Sequence, residues 1–268
     1  EAYNRALAIK PDHADAHSNM GNTLQDQGKL DEAIQAYSKA LAIKPDYVKA
    51  HQNLAITLRL QKKYTGAIES YRNAIRFSPN FFEAYIGIGL IYFEVSQMDE
   101  ATSMFKQAQR IQPGHAQTYY YLGNVLRAQG RLDGAIENYE KALRLKPDLF
   151  EIYNAIGIAF KEKGHVEKAI KNFEKALLFN PGNASIFFNL GLAFQEMGFR
   201  IKAIENYEKA ICIQPYFPKA FRNLSYVKKI SLSNNTTITM IEIHQRNNLT
   251  SEDYIDLSFA LGKIYEDN

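Results

Sequence analysis

Few residues in this chain have the types and spacing that bond-making chemistry needs. The six histidines never fall at metal-ligand spacing, and His17 and His51 occupy a slot that a helix-packing pattern fills with aromatic rings. Cys212 is the single cysteine, so no intrachain disulfide can form. Flanked by Ile211 and Ile213 late in a helix, it reads as a small packed side chain and not as a nucleophile. No Gly-rich phosphate loop, nucleophilic triad or paired-carboxylate site occurs, so the chain carries no catalytic signature, no metal site and no cofactor site. Pairs such as Glu140 with Arg144 are solvated helix pairs, worth about 0.2–0.5 kcal/mol. Sequons at Asn183, Asn223, Asn234, Asn235 and Asn248 matter only in a glycosylating secretory route. What the chain does offer is recognition chemistry. Asparagines at Asn19, Asn53, Asn189 and Asn223 can each present a donor and an acceptor to a peptide unit.

The elements that hold these residues follow from a repeat. Pro11, Pro45, Pro79, Pro113, Pro147, Pro181 and Pro215 are each 34 residues apart, and the register never slips. Six full repeats result: 14–47, 48–81, 82–115, 116–149, 150–183 and 184–217. Counting each from its first residue, position 8 is always small: Gly21, Ala55, Gly89, Gly123, Gly157 and Gly191. Positions 20 and 27 are always alanine, and position 24 is always aromatic, from Tyr37 through Tyr207. Positions 4, 7, 8 and 11 share one face of a first helix, and 20, 24 and 27 one face of a second. Small residues let the two backbones approach, and the ring fills the space that remains. Gly28, Gly130, Gly164 and Gly198 are expected to end first helices in the left-handed region. Asp31, Asp99 and Asp133 are expected to N-cap second helices, and Asp12, Asp46 and Asp148 to open first helices.

This pattern resembles the tetratricopeptide repeat (TPR), and "YYYLGNVLRAQGRLDGAIENYEKALRLKPD" fits it closely. The Trp slot at position 4 holds His17, His51, Tyr85, Tyr119, Tyr153 and Phe187, since the chain has no Trp. The resemblance implies an all-α fold, a right-handed superhelix of antiparallel helix pairs. Residues 1–13 are then the second helix of a partial repeat, and 14–217 the six full units. Residues 218–250 form a divergent repeat with a polar loop, because Lys228 replaces an apolar residue at position 11. Residues 251–268 read as the first helix of a further, truncated repeat, capped by Ser251, with Leu261, Gly262 and Tyr265 at positions 7, 8 and 11.

Family geometry turns positions 2, 5, 6, 9, 12 and 13 of the first helices into a concave groove, the expected site for a protein or peptide segment. Its ends are polar, with Asn19, Asn22, Gln25, Gln52 and Asn53 early and Asn189, Gln195, Arg222 and Asn223 late. Its middle is apolar: Ile86, Leu90, Phe93, Tyr120, Tyr121, Ile158, Phe188 and Leu192, with Asn124 beside them. Such residues either receive an extended apolar segment or pack against neighbouring first helices. Some TPR proteins clamp a peptide's terminal carboxylate with lysines or arginines. The matching places here hold Ser18, Asn22, Asn53, Glu83 and Gly87, so that role is not expected. The asparagines at position 6 resemble the ladder of O-linked N-acetylglucosamine transferase, broken here by Gly87, Tyr121 and Ala155.

Residues 259–267, within "FALGKIYED", resemble the helix that leads into the catalytic half of bacterial TPR-sulfotransferase proteins. That implies a substrate-recruiting arm of a larger transferase as the alternative to a plain binding scaffold. A second alternative is end-to-end self-association into a filament, a terminal first helix packing on a neighbour's second helix. Thirty-two Lys and Arg against 29 Asp and Glu leave a net charge of +3, which points to no nucleic-acid partner. No apolar run approaches the roughly 18–20 residues of a membrane span. The single cysteine and the absence of a signal layout favour the cytoplasm.

Overall fold

The computed structural model describes Leu7 and residues 10–246 and 249–268. Fifteen helices are described, with no strand among these residues. First helices are 13 residues long: α1 (Ala14–Asp26), α3 (Val48–Leu60), α5 (Phe82–Glu94), α7 (Ala116–Ala128), α9 (Phe150–Glu162) and α11 (Ala184–Glu196). Second helices are 14 long: α2 (Leu30–Ile43), α4 (Tyr64–Phe77), α6 (Met98–Ile111), α8 (Leu132–Leu145), α10 (Val166–Phe179) and α12 (Arg200–Ile213). After them come α13 (Pro218–Val227), α14 (Asn235–His244) and α15 (Ser251–Asp267). The expected all-α solenoid of helix pairs is the fold. The expected helix over 1–13 lies almost wholly outside the described residues, as does the sequon at Asn248. No helix among the described residues is long and apolar enough to cross a membrane.

Two compact units result, residues 1–131 and 132–268. In unit 1, α1 pairs with α2, α3 with α4 and α5 with α6. In unit 2, α9 pairs with α10 and α11 with α12. Position 24 supplies the buried ring of each pair, and the glycine at position 8 makes room for it. A Cβ built on Gly21, Gly89, Gly157 or Gly191 would lie 2.6, 2.6, 2.5 and 2.4 Å from the rings of Tyr37, Phe105, Phe173 and Tyr207. Real side chains do not approach that closely, so the two positions specify each other.

The turns follow the expectation in part. Gly28, Gly130, Gly164 and Gly198 have φ of 75°, 72°, 78° and 77°, and Lys62 and Ser96 are held at 59° and 61° at the same place in their repeats. Those two non-glycine residues carry a left-handed strain of about 1–2 kcal/mol each.

The aspartates are not caps. Asp31, Asp99 and Asp133 lie inside the first turn of α2, α6 and α8, where a carboxylate meets the positive end of the helix dipole. Each also accepts from the residue ending the next first helix: Gln61 Nε2 at 3.0 Å, Gln129 Nε2 at 3.2 Å and Lys163 Nζ. They tie repeat to repeat. Asp12, Asp46 and Asp148 sit in the preceding turns, and the residues at the cap are His13, Tyr47 and Leu149.

Position 4 does more than pack. His17 Nε2 and His51 Nε2 each lie 2.9 Å from the carbonyl oxygen of the proline six residues earlier, and the Tyr85 hydroxyl donates to Pro79 at 3.1 Å. His51 stacks on Phe77 with centroids 5.9 Å apart. Cys212 departs from expectation, because it is exposed on α12 and is not packed.

The last pair also corrects the sequence reading. α15 is capped by Thr250, whose Oγ1 accepts from the Asp253 N–H at 3.1 Å, and not by Ser251. It packs chiefly against α13, while α14 lies between them in the chain. Its buried residues include Leu257, Ala260, Leu261 and Ile264. That spacing occurs in both kinds of helix, in Ala33, Ala36, Tyr37 and Ala40 of α2 and in Ile152, Ala155, Ile156 and Ala159 of α9. Gly262 has no atom within 4 Å of a Cβ built on it, and Tyr265 is 59% exposed. α15 thus pairs with α13 through a buried spacing that first and second helices share. Asp256, 5% exposed, accepts from Arg222 Nη1 of α13 at 2.8 Å and secures the pair.

Candidate peptide-binding groove

Positions 5, 6 and 9 of the first helices carry the candidate residues, and each unit arranges them differently. At the start of unit 1 the amides are committed to one another. Asn22 Oδ1 accepts from the Tyr37 hydroxyl and from Asn53 Nδ2, both at 2.8 Å. Gln25 Oε1 accepts from Thr57 Oγ1 at 2.7 Å. Asn53 thus spends one of its two amide N–H groups on this contact, while Asn19 is exposed.

The apolar middle is half-buried and not open. Ile86, Leu90, Phe93 and Tyr121 pack against a core of Ala101, Phe105, Leu122 and Val125. Tyr121 stacks on Phe105 with centroids 5.3 Å apart, and Tyr120 leans on Tyr121 at 5.8 Å. Asn124 is half-buried on the same helix, α7. The expected packing against neighbouring helices is therefore present, and Ile86, Leu90 and Tyr121 also keep a side on open space. Between α3, α5 and α7 they leave a cavity of about 410 Å³, lined by Ile56, Arg59, Glu83, Ile86, Leu90 and Tyr121 among others. Arg59 Nη1 lies 3.3 Å from Glu94 Oε1. His115, also on the wall, places Nδ1 2.9 Å from Thr118 Oγ1, and burial pushes its pKa down.

One wall residue escaped sequence reasoning. Tyr71, from position 24 of the second repeat, reaches this cavity although it belongs to the core. A Cβ on Gly87 would fall 2.2 Å from Tyr71 Cζ and 2.5 Å from its hydroxyl. The phenol thus occupies the space of a position-6 side chain. The cause is legible in retrospect. Position 8 of this repeat is Ala55 and not glycine, so the ring cannot lie where Tyr37 or Phe105 lies. It moves on to the neighbouring first helix, which has glycine there. Burial holds the Tyr71 phenol up to about 12, so it remains a proton donor.

Unit 2 closes the same positions. Asn189 Nδ2 donates to Asn154 Oδ1 at 3.0 Å, and the Tyr207 hydroxyl donates to Gln195 Oε1 at 2.6 Å. Phe188 packs between Tyr207 and Phe217, at 5.9 and 5.1 Å, and Ile158 and Leu192 are half-buried against the same core. Asn223 Nδ2 donates to the Lys219 carbonyl of its own helix at 2.8 Å. Among the described residues no group of His, Cys, Asp and Glu is arranged to hold a metal ion.

Residues 3–214 match the family model described as the Cilia and flagella-associated protein 70 C-terminal domain, a TPR family. The chain belongs to this TPR family. No curated protein matches it. Among solved structures, a chain of the APC/C hetero-tetramer Cut9-Hcn1 superposes with a TM-score of 0.71 at 19% identity, over 84% of this TPR chain and 45% of that one. MamA is 32% identical, with a TM-score of 0.55, over 60% of this chain and 94% of its own. The pilF protein of Pseudomonas aeruginosa is 19% identical, with a TM-score of 0.65, over 80% and 95%. The TPR chain thus spans under half of the Cut9-Hcn1 chain it matches.

Proposed function

We propose that this TPR chain is a protein-interaction scaffold that receives an extended polypeptide segment on the groove face of its first helices. The observation that carries this is the cavity of unit 1, whose lining comes from groove positions 2, 5, 6, 9 and 12. Half-buried aromatic and aliphatic side chains there supply contact area at low entropic cost, because their inner sides are already fixed by packing. Within unit 1 the side-chain oxygen of Asn53 adds a polar contact point beside this apolar surface. No catalytic step is assigned to any residue.

The test is selection of binders from a random peptide library on the full chain, followed by titration of a selected peptide. Alanine at Tyr120 and Tyr121, or at Phe188 and Asn189, is expected to weaken binding at least about ten-fold, as for aromatic anchors worth more than 1 kcal/mol. Selected peptides that bind both double variants as tightly as wild type would refute the assignment.

A further inference from the structure

The gap in the asparagine ladder at Gly87 is itself a feature of the groove. Tyr71 is 3% exposed, lines the cavity, and makes no side-chain hydrogen bond among the described residues. Two of its counterparts donate within the chain: Tyr37 to Asn22 and Gln25, and Tyr207 to Gln195. In the second repeat the matching positions 9 and 12 are Ile56 and Arg59, and neither offers an acceptor. The Tyr71 hydroxyl therefore meets the cavity with no protein acceptor, and a ligand acceptor there can replace water as its partner.

The charges around it select which acceptor. Arg59 is neutralised by Glu94, and Glu83 on the wall has no ion-pair partner among the described residues. The local sum is one positive against two negative charges, which disfavours a carboxylate. Ile56, Ile86, Leu90 and Tyr121 form the apolar surround.

We infer that this cavity is a subsite for one apolar side chain of an internal peptide segment, whose neutral backbone carbonyl accepts a hydrogen bond from Tyr71 Oη. Gly87 is its structural requirement, since any side chain there collides with the phenol. The inference rests on the groove reading above and adds the chemistry of one subsite. It also reverses the sense of the broken ladder, because the missing asparagine is replaced by a hydroxyl delivered from the preceding repeat.

The experiment is methyl NMR of the full chain titrated with three probes: N-acetyl-leucine methylamide, N-acetyl-leucinate and N-acetylglycine methylamide. The expected result is a saturable shift of the Ile56 and Ile86 methyls with the leucine amide, weaker by several-fold with leucinate and absent with the glycine amide. Tyr71→Phe should weaken the leucine amide about five-fold, the worth of one neutral hydrogen bond, with melting unchanged. Tighter binding of leucinate, or equal binding by Tyr71→Phe, would overturn the inference. Shifts confined to Ile158 and Leu192 would overturn it too, while leaving a groove ligand in place on unit 2.

Discussion

Unit 1 departs from the shared repeat inside its groove, whereas unit 2 departs in its last helix pair. In unit 1 one alanine for glycine, Ala55, sends the Tyr71 ring onward and opens a polar subsite at Gly87. In unit 2 the groove amides close on each other, but α14 is looped between the paired helices α13 and α15. Both departures preserve the same buried spacing on the packed helix, as in Ala67, Ser70, Tyr71 and Ala74, and in Leu257, Ala260, Leu261 and Ile264. Packing of the helix pair is therefore the fixed requirement. Groove chemistry and connectivity are free to change around it.

The largest expected effect tests the end of unit 2. Leu257→Ala removes a side chain with 0% exposure and should cost about 2–5 kcal/mol in urea unfolding, while Tyr265→Ala stays within about 0.5 kcal/mol. The opposite ranking would mean that the Tyr265 face of α15, and not the Leu257 face, carries the packing on α13. Next come the two glycines that face rings. Gly87→Ala and Gly191→Ala should each cost about 1–3 kcal/mol by overpacking Tyr71 and Tyr207. Only Gly87→Ala should also abolish the leucine-amide shifts at Ile56 and Ile86. Equal loss in both variants would erase the difference between the units.

A smaller effect is expected at high pH. Burial raises Tyr37 and Tyr71 to about 12, so above pH 10 the unfolded chain loses phenolic protons that the folded chain keeps. Stability attributable to these rings is full below pH 10 and falls between pH 10 and 12, by at most about 1.4 kcal/mol per pH unit for each ring. Tyr37→Phe and Tyr71→Phe should each flatten that decline, as read by thermal melting across the range. A decline of unchanged slope would show that other groups drive it. The smallest effect is at the turns: Lys62→Gly should raise stability by about 0.5–1 kcal/mol, and Gly28→Ala should lower it by a similar amount. A loss of stability in Lys62→Gly would mean that the lysine side chain matters more than its backbone strain.

The helix pairs are legible because their signal is redundant. Seven prolines, six alanines at each of two positions and a ring at position 24 all specify one geometry. The caps are harder to read because an aspartate near a helix start satisfies either a cap or the first-turn dipole. One residue of offset decides which, and Asp31, Asp99 and Asp133 fall on the dipole side. Cys212 misleads because apolar neighbours in sequence point to different faces of a helix, and its own face is solvent. The groove residues lie on the expected helices, but their half-burial comes from neighbouring repeats and is invisible one repeat at a time.

The repeat length, the helix pairs, the ring-on-glycine contacts and the left-handed turns follow from the sequence, because each is a local pattern written several times over. Only packing pairs α15 with α13, because the repeat pattern breaks after Val227 and leaves the partner of "FALGKIYED" open. Packing also carries the Tyr71 ring, still within the core, to the wall of the cavity. That outcome depends on Ala55 and Gly87 in two different repeats meeting one ring, a three-body contact that no single repeat contains.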